Sequence, residues 1–98
     1  MKDATLGGYL HEHERPPAFE GPGGDSYTVE IMTDRAGSRS EGLWSGYLFF
    51  LKWRGSEPVG HLESGFLSEA ETEEEARAAL EKLTLHDVKR LLDRLVSR

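Results

Sequence analysis

Histidines and glutamates alternate near the start of the chain, in the segment His11-Glu12-His13-Glu14. On an extended backbone, side chains two residues apart project from the same side, so both imidazoles could bind one metal ion. Two ligands do not close a metal site, and His61 or a carboxylate would have to complete it. Nothing in the spacing requires that third ligand. The alternative is a solvated arm that carries the two histidines on the surface.

His61 and Glu63 lie two residues apart on a predicted strand, which is the minimum geometry for an acid/base pair. Polar neighbours on an exposed strand face produce the same pattern. None of Ser45, Ser64 and Ser68 lies in a nucleophile motif, and the glycine cluster at 21–24 leads into a strand instead of a helix. We therefore expect no catalytic residue, no bound metal and no cofactor. The alternative is a small metal-binding protein or enzyme that uses the N-terminal histidines.

The segment that follows the strands begins with strong helix signals. Thr72 is a good N-cap, Glu75 follows three residues later as in a capping box, and the acidic run 73–75 complements the helix dipole. Thr84 begins a second capping segment that ends at Asp87. The apolar stripes that follow the two caps point in directions about 130° apart on one continuous helix. We predict two short helices with a break near residues 83–84; the alternative is one bent helix.

The strands precede these helices. Residues 1–17 lack periodicity and are predicted to be an arm or loop, whereas 18–98 form a single small domain. A short strand is predicted at 17–20. Further strands are predicted where apolar and polar residues alternate at 27–31, through the apolar run 46–53 and at 59–63. The fold class is α+β, with a three- or four-stranded antiparallel sheet and two short C-terminal helices packed on one face.

The apolar run 46–53 carries apolar side chains on both of its faces, and the helices can cover only one of them. We expect them to cover the face that bears Tyr47 and Trp53, which leaves Leu48 and Phe50 on the open side. An exposed apolar patch of this kind marks a contact with another protein. The predicted partner surface combines the patch with a tryptophan beside a loop and with acidic residues at the helix start: Leu48, Phe50, Trp44, Glu73 and Glu74.

Composition narrows the classes of partner. The 98 residues include 18 acidic and 12 basic side chains, for a formal charge of −6, which disfavours nucleic acid and favours a basic protein. A homodimer through the open sheet face is the other expected assembly. No stretch has the length and apolarity of a membrane span, and cysteine is absent. We expect a cytoplasmic bacterial protein, and the absence of cysteine, asparagine and glutamine is typical of a thermophile.

The order of the strands and the first helix resembles that of HicB-like antitoxin domains. The matching segments are Tyr27-Thr28-Val29, Gly46-Tyr47 and Thr72-Glu73-Glu74-Glu75-Ala76, so the resemblance covers residues 26–83. The chain lacks the P-G-C motif that such domains usually carry before the helix, and it has no appended DNA-binding segment. The resemblance implies a protein that binds and neutralises a small basic ribonuclease. A T-x-E-E-A segment also arises simply because it caps helices well. Fold-level analogy alone does not carry function.

Overall fold

The computed structural model describes residues 4–21, 23–35 and 42–97. In these ranges the chain forms α1 (Leu6–Glu12), β1 (Ala18–Glu20), β2 (Ser26–Asp34), β3 (Trp44–Arg54), β4 (Glu57–Ala70), α2 (Glu73–Glu81) and α3 (Leu85–Val96). The strands form an antiparallel sheet in the order β1-β2-β3-β4, so each strand pairs with its neighbour in sequence. The predicted fold class, including the two C-terminal helices on one face of the sheet, is confirmed.

The two C-terminal helices begin where the capping residues predicted. The Thr72 hydroxyl oxygen accepts a hydrogen bond from the Glu75 backbone N–H at the start of α2. Thr84 and Asp87 form a complete capping box at the start of α3. The Thr84 backbone N–H donates to the Asp87 carboxylate, and this bond holds the pKa of Asp87 below its ordinary value. No helix in the described ranges is long and apolar enough to cross a membrane.

The core lies between the sheet and the helices. Every second residue of β2 from Tyr27 to Ile31 is buried in this core. The register places Val29 opposite Phe50 and Ile31 opposite Leu48. Directly opposite residues of an antiparallel pair share a face, so β2 and β3 present one continuous apolar surface to the helices. The buried side chains that complete this core come from all three helices: Leu6, Leu80, Val88 and Leu92.

The predicted exposure of Leu48 and Phe50 is wrong. Both side chains are fully buried and pack in the core with residues of α2 and α3. Their neighbours in β2 explain why, because the apolar side of β2 meets these two residues and its polar side meets Phe49. The helices therefore cover the face opposite to the one that we expected.

Close contact between α2 and β3 depends on a glycine. A Cβ atom at Gly46 would lie 3.0 Å from the Ala76 carbonyl oxygen and 3.1 Å from the Leu80 side chain. The Ser68 hydroxyl of β4 donates to the same Ala76 carbonyl at 2.8 Å. This bond fixes the first part of α2 against the sheet.

The segment predicted to be an arm contains α1, which the sequence pattern did not predict. Leu6 is buried in the core, and its backbone N–H donates to the Leu83 carbonyl oxygen at 2.8 Å. The Leu85 N–H donates to the Ala4 carbonyl at 2.8 Å, so both sides of the α2–α3 junction hold α1. The polar, glycine-containing segment 35–45 is predicted from the sequence to be a hairpin connection. Of this segment, 36–41 lie outside the described residues, whereas Trp44 and Ser45 belong to β3.

Candidate interaction surface

The sheet has an open face, which is the side opposite α2 and α3. Its central strand presents a row of partly exposed side chains that we call the β3 row. The β3 row consists of Tyr47, Phe49, Leu51 and Trp53. Flanking it are Met32 of β2, 37% exposed, and Phe66 of β4, 51% exposed. Apolar and aromatic side chains therefore meet across three strands at the Tyr47 end of the open face.

Contacts between strands hold the aromatic rings of this face in place. The Trp53 indole N–H donates to the Thr28 hydroxyl at 2.9 Å, which joins β3 to β2. On the other side of β3, the rings of Phe49 and His61 stack with their centroids 5.2 Å apart and their planes 16° from parallel. These cross-strand contacts order the rings in the absence of a partner, and ordered rings lose less entropy on binding.

One end of the open face is walled by the N-terminal segment. Tyr9 of α1 and the residues before β1 lie beside Phe49 and Trp53, and together they enclose a cavity of about 660 Å³. Arg15 and Glu30 both line this cavity. Arg15 and Glu30 both lie in the described ranges, and their charged groups are not within 4.0 Å of each other. The cavity therefore offers one charge of each sign on an apolar floor.

The other end of the open face contains a hollow beside an irregularity in β4. Tyr47 pairs with Phe66, and Phe49 pairs with Glu63, so β4 has one more residue than β3 between these pairs. Gly65 lies in this bulge with a φ angle of +78°, a conformation that glycine adopts without strain. The resulting hollow has a volume of about 470 Å³, and we call it the bulge recess. It is lined by Asp34, Tyr47, Glu63, Ser64, Gly65 and Phe66.

Charge on the open face is almost entirely negative. The register assigns five carboxylates of the four strands to this face: Glu20, Glu30, Asp34, Glu63 and Glu69. The four strands contain one lysine and one arginine, Lys52 and Arg54. Both occupy β3 positions between or beside those of the β3 row, so the register assigns them to the opposite face. Lys52 lies 3.3 Å from the Asp25 carboxylate. The strand positions of the open face thus combine aromatic rings with acidic groups.

The other residues of the predicted partner surface lie away from the open face. Trp44 begins β3, is half-buried, and has the Arg35 guanidinium 5.4 Å from its ring centroid. Glu73 and Glu74 are exposed in the first turn of α2, where the Glu73 carboxylate accepts a hydrogen bond from the Thr33 hydroxyl. Since Leu48 and Phe50 are in the core, the five predicted residues do not form one surface.

His11 and His13 lie at the end of α1, whereas His61 lies on a different element. His11 is in the last turn of α1, and His13 caps that helix with its ring stacked on Tyr9 at 4.0 Å between centroids. The extended backbone that we assumed for the two imidazoles is therefore not present at His11. His61 lies on β4. Among the described residues, no three histidine, aspartate or glutamate side chains are grouped closely enough to hold a metal ion.

The His61–Glu63 pair is exposed to solvent. Its Nε2 and Oε2 atoms are 3.9 Å apart, and more than half of each side chain is exposed. Ser64, the next residue, uses its hydroxyl structurally, because it accepts from the Leu48 N–H at 2.9 Å and donates to the Gly65 carbonyl at 2.7 Å. The hydroxyl thus replaces a β-ladder contact at the bulge. This arrangement serves the sheet.

A second apolar depression lies on the helix side of the molecule. Leu67 of β4 is 41% exposed and lines a groove of about 490 Å³ with Leu83 and Leu91. Asp87 and the arginines at 90 and 94 rim this groove. The groove therefore carries both signs of charge, and it differs in this from the strand positions of the open face.

Sequence reasoning missed Phe66 and Glu30 as surface residues. The alternation in β2 contained the necessary signal, because Val29 is apolar and Glu30 is polar. The polar side of β2 must lie on the less buried face of the sheet. Applying that rule to β3 requires the pairing register, which the sequence does not supply.

No known family model matches this chain. No curated protein and no solved structure matches it either.

Proposed function

We propose that this chain is a non-catalytic interaction module that binds a basic protein through the open face of its sheet. The observation that supports this most is the β3 row, which lies on the face that α2 and α3 leave uncovered. Aromatic side chains dominate the energetics of protein interfaces, since they bury a large area with few rotatable bonds.

Negative charge on the same face favours a basic partner over a second copy of the chain. Two copies joined face to face would bring the carboxylates of both molecules together, and like charges across an interface are costly. The formal charge of −6 acts in the same direction over a longer range. Nucleic acid is disfavoured because its phosphates would meet the same carboxylates.

An antitoxin-like role in the cytoplasm, neutralising a small basic ribonuclease, is the most specific form of the proposal. It rests on the resemblance of residues 26–83 to HicB-like domains, for which the strand order and the Thr72 cap are the supporting features. The alternative, metal binding or catalysis at the N-terminal histidines, lacks a converged third ligand in the described residues. We therefore prefer the interaction module.

The test compares two variants that differ in the face they alter. Phe49→Asp places a charge in the β3 row, whereas Leu67→Asp places one in the groove on the helix side. Each protein is immobilised and used to capture partners from the source organism, with and without nuclease. We expect wild type and Leu67→Asp to recover the same basic protein, and Phe49→Asp to lose it.

Other outcomes would contradict the proposal. Recovery of RNA or DNA at moderate salt, with no basic protein enriched, would make nucleic acid the ligand. A dimer mass in light scattering that falls to a monomer mass in Phe49→Asp would make the open face a homodimer interface. Loss of the partner in Leu67→Asp alone would move the binding surface to the groove.

A further inference from the structure

The bulge recess brings aromatic and acidic side chains together in one hollow of the open face. Tyr47 and Phe66 form its aromatic wall, with ring centroids 5.8 Å apart and an angle of 74° between the rings. A corner of two rings presents one ring face to a group that enters it. The recess opens on solvent through Phe66, which is 51% exposed.

Two carboxylates flank this aromatic corner. Glu63 enters the recess from β4, and Asp34 enters it from β2, on the other side of β3. Asp34 has other interactions, whereas Glu63 has a long contact of 3.9 Å with the exposed side chain of His61. Solvent reaches both side chains of this contact, so it is a weak one and leaves the Glu63 carboxylate accessible from the recess. Among the described residues, no lysine or arginine lines the recess.

An arginine guanidinium satisfies these features better than a lysine ammonium. The guanidinium is planar, so its flat face can stack on an aromatic ring. Its N–H groups point outward in the plane of the guanidinium and can donate to a carboxylate at its edge. A lysine ammonium is more strongly hydrated and lacks the flat surface that stacks. The cavity at the opposite end of the open face is less suited to a cation, because Arg15 lines it together with Glu30.

We infer that the bulge recess binds the guanidinium of an arginine side chain presented by the partner protein. This inference rests on the proposed function, since it names the anchor by which a basic partner would be recognised. The guanidinium stacks on Phe66 and donates to Glu63, while the β3 row contacts apolar side chains around it.

The experiment uses the full chain, labelled with ¹⁵N, and titrates it with N-acetyl-arginine N-methylamide at pH 7. The matched neutral probe is the citrulline derivative, which keeps the shape of the side chain and removes its charge. We expect saturable shifts at the amides of 63–66 and a Kd of about 1–10 mM, the range that so small a ligand can reach. The citrulline derivative should bind at least about fivefold more weakly.

Two variants test the named contacts. Glu63→Gln should weaken binding of the arginine derivative by about 3–5-fold, since an exposed charge-assisted contact is a modest one. Phe66→Leu should weaken it by about 2–5-fold through loss of the cation–π contact. The control is Glu30→Gln, which removes a carboxylate of the same face outside the recess and should leave the Kd within about twofold of wild type.

Several results would overturn the inference. Equal binding of the citrulline derivative, shifts that map outside the recess, or absence of saturation would each do so. An equal effect of Glu30→Gln would show attraction to the whole acidic face and no site. If the arginine derivative does not bind in the recess but Phe49→Asp still abolishes partner capture, the inference fails and the proposed function stands. Binding in the recess while Phe49→Asp retains its partner refutes the proposed function instead.

Discussion

Adjacent phenylalanines of β3 provide a sharp test of which face of the sheet the helices cover. Phe50 is fully buried beneath the helices, whereas Phe49 is partly exposed on the open face. An aromatic side chain buries about 150–250 Å², or about 4–6 kcal/mol at about 25 cal/mol per Å². Alanine retains part of this, so we expect Phe50→Ala to lower the free energy of unfolding by about 3–5 kcal/mol. Phe49→Ala should cost about 1 kcal/mol, because water reaches its site and no cavity forms.

Urea unfolding followed by tryptophan fluorescence measures both changes. For a slope of about 1.5 kcal/mol per M, Phe50→Ala should lower the midpoint by about 2–3 M with the slope unchanged. A domain of this size has roughly 5–15 kcal/mol of stability, so Phe50→Ala can leave too little for the protein to fold. In that case Phe50→Leu, with an expected cost of about 1–2 kcal/mol, takes its place. A larger loss in Phe49→Ala than in Phe50→Ala would refute the assignment of the faces.

Three further outcomes are expected. Thr72→Ala should lower the free energy of unfolding by about 1 kcal/mol through loss of the α2 cap, and an unchanged urea midpoint would show that the cap contributes nothing. Because the pKa of Asp87 is lowered from 3.8 by its bonds to Thr84, the carboxylate stabilises the fold fully above that value and stops doing so as the pH falls through the lower folded-state pKa. The stability difference between wild type and Asp87→Asn should therefore be greatest near pH 7 and shrink below about pH 3.8, and a difference that grew toward acid pH would contradict this. Zinc or nickel ions should leave the melting temperature unchanged, whereas a tight site would add about 2.7 kcal/mol at a hundredfold excess over Kd, so a rise abolished by His11→Ala would favour the metal-site alternative.

Features that depend on a few neighbouring residues could be predicted from the sequence. The caps at Thr72 and Thr84 are local hydrogen bonds, so the two helices and the break between them followed from spacing alone. The alternation at 27–31 marked β2 for the same reason, and the apolar run 46–53 marked β3 as the central strand.

Features that depend on contacts between residues far apart in the sequence could not be predicted in this way. Only seven residues form α1, and they include Gly7 and Gly8, which are poor helix formers, so its stability comes from the buried Leu6 and the bonds at the α2–α3 junction. The 14-residue length of β4 was hidden by its glycines at 60 and 65. The buried face of β3 depended on register with β2, which placed Phe50 and not Phe49 in the core.

The proposed function requires that the open face of the sheet contacts the basic partner. Hydroxyl-radical footprinting of the free chain and of the captured complex measures this directly, because aromatic side chains are oxidised in proportion to their exposure. We predict that Tyr47, Phe49 and Phe66 become protected in the complex, while Leu67 and Leu91 keep the reactivity that they have in the free chain. Protection at Leu67 and Leu91, with the open-face rings unchanged, would contradict the account.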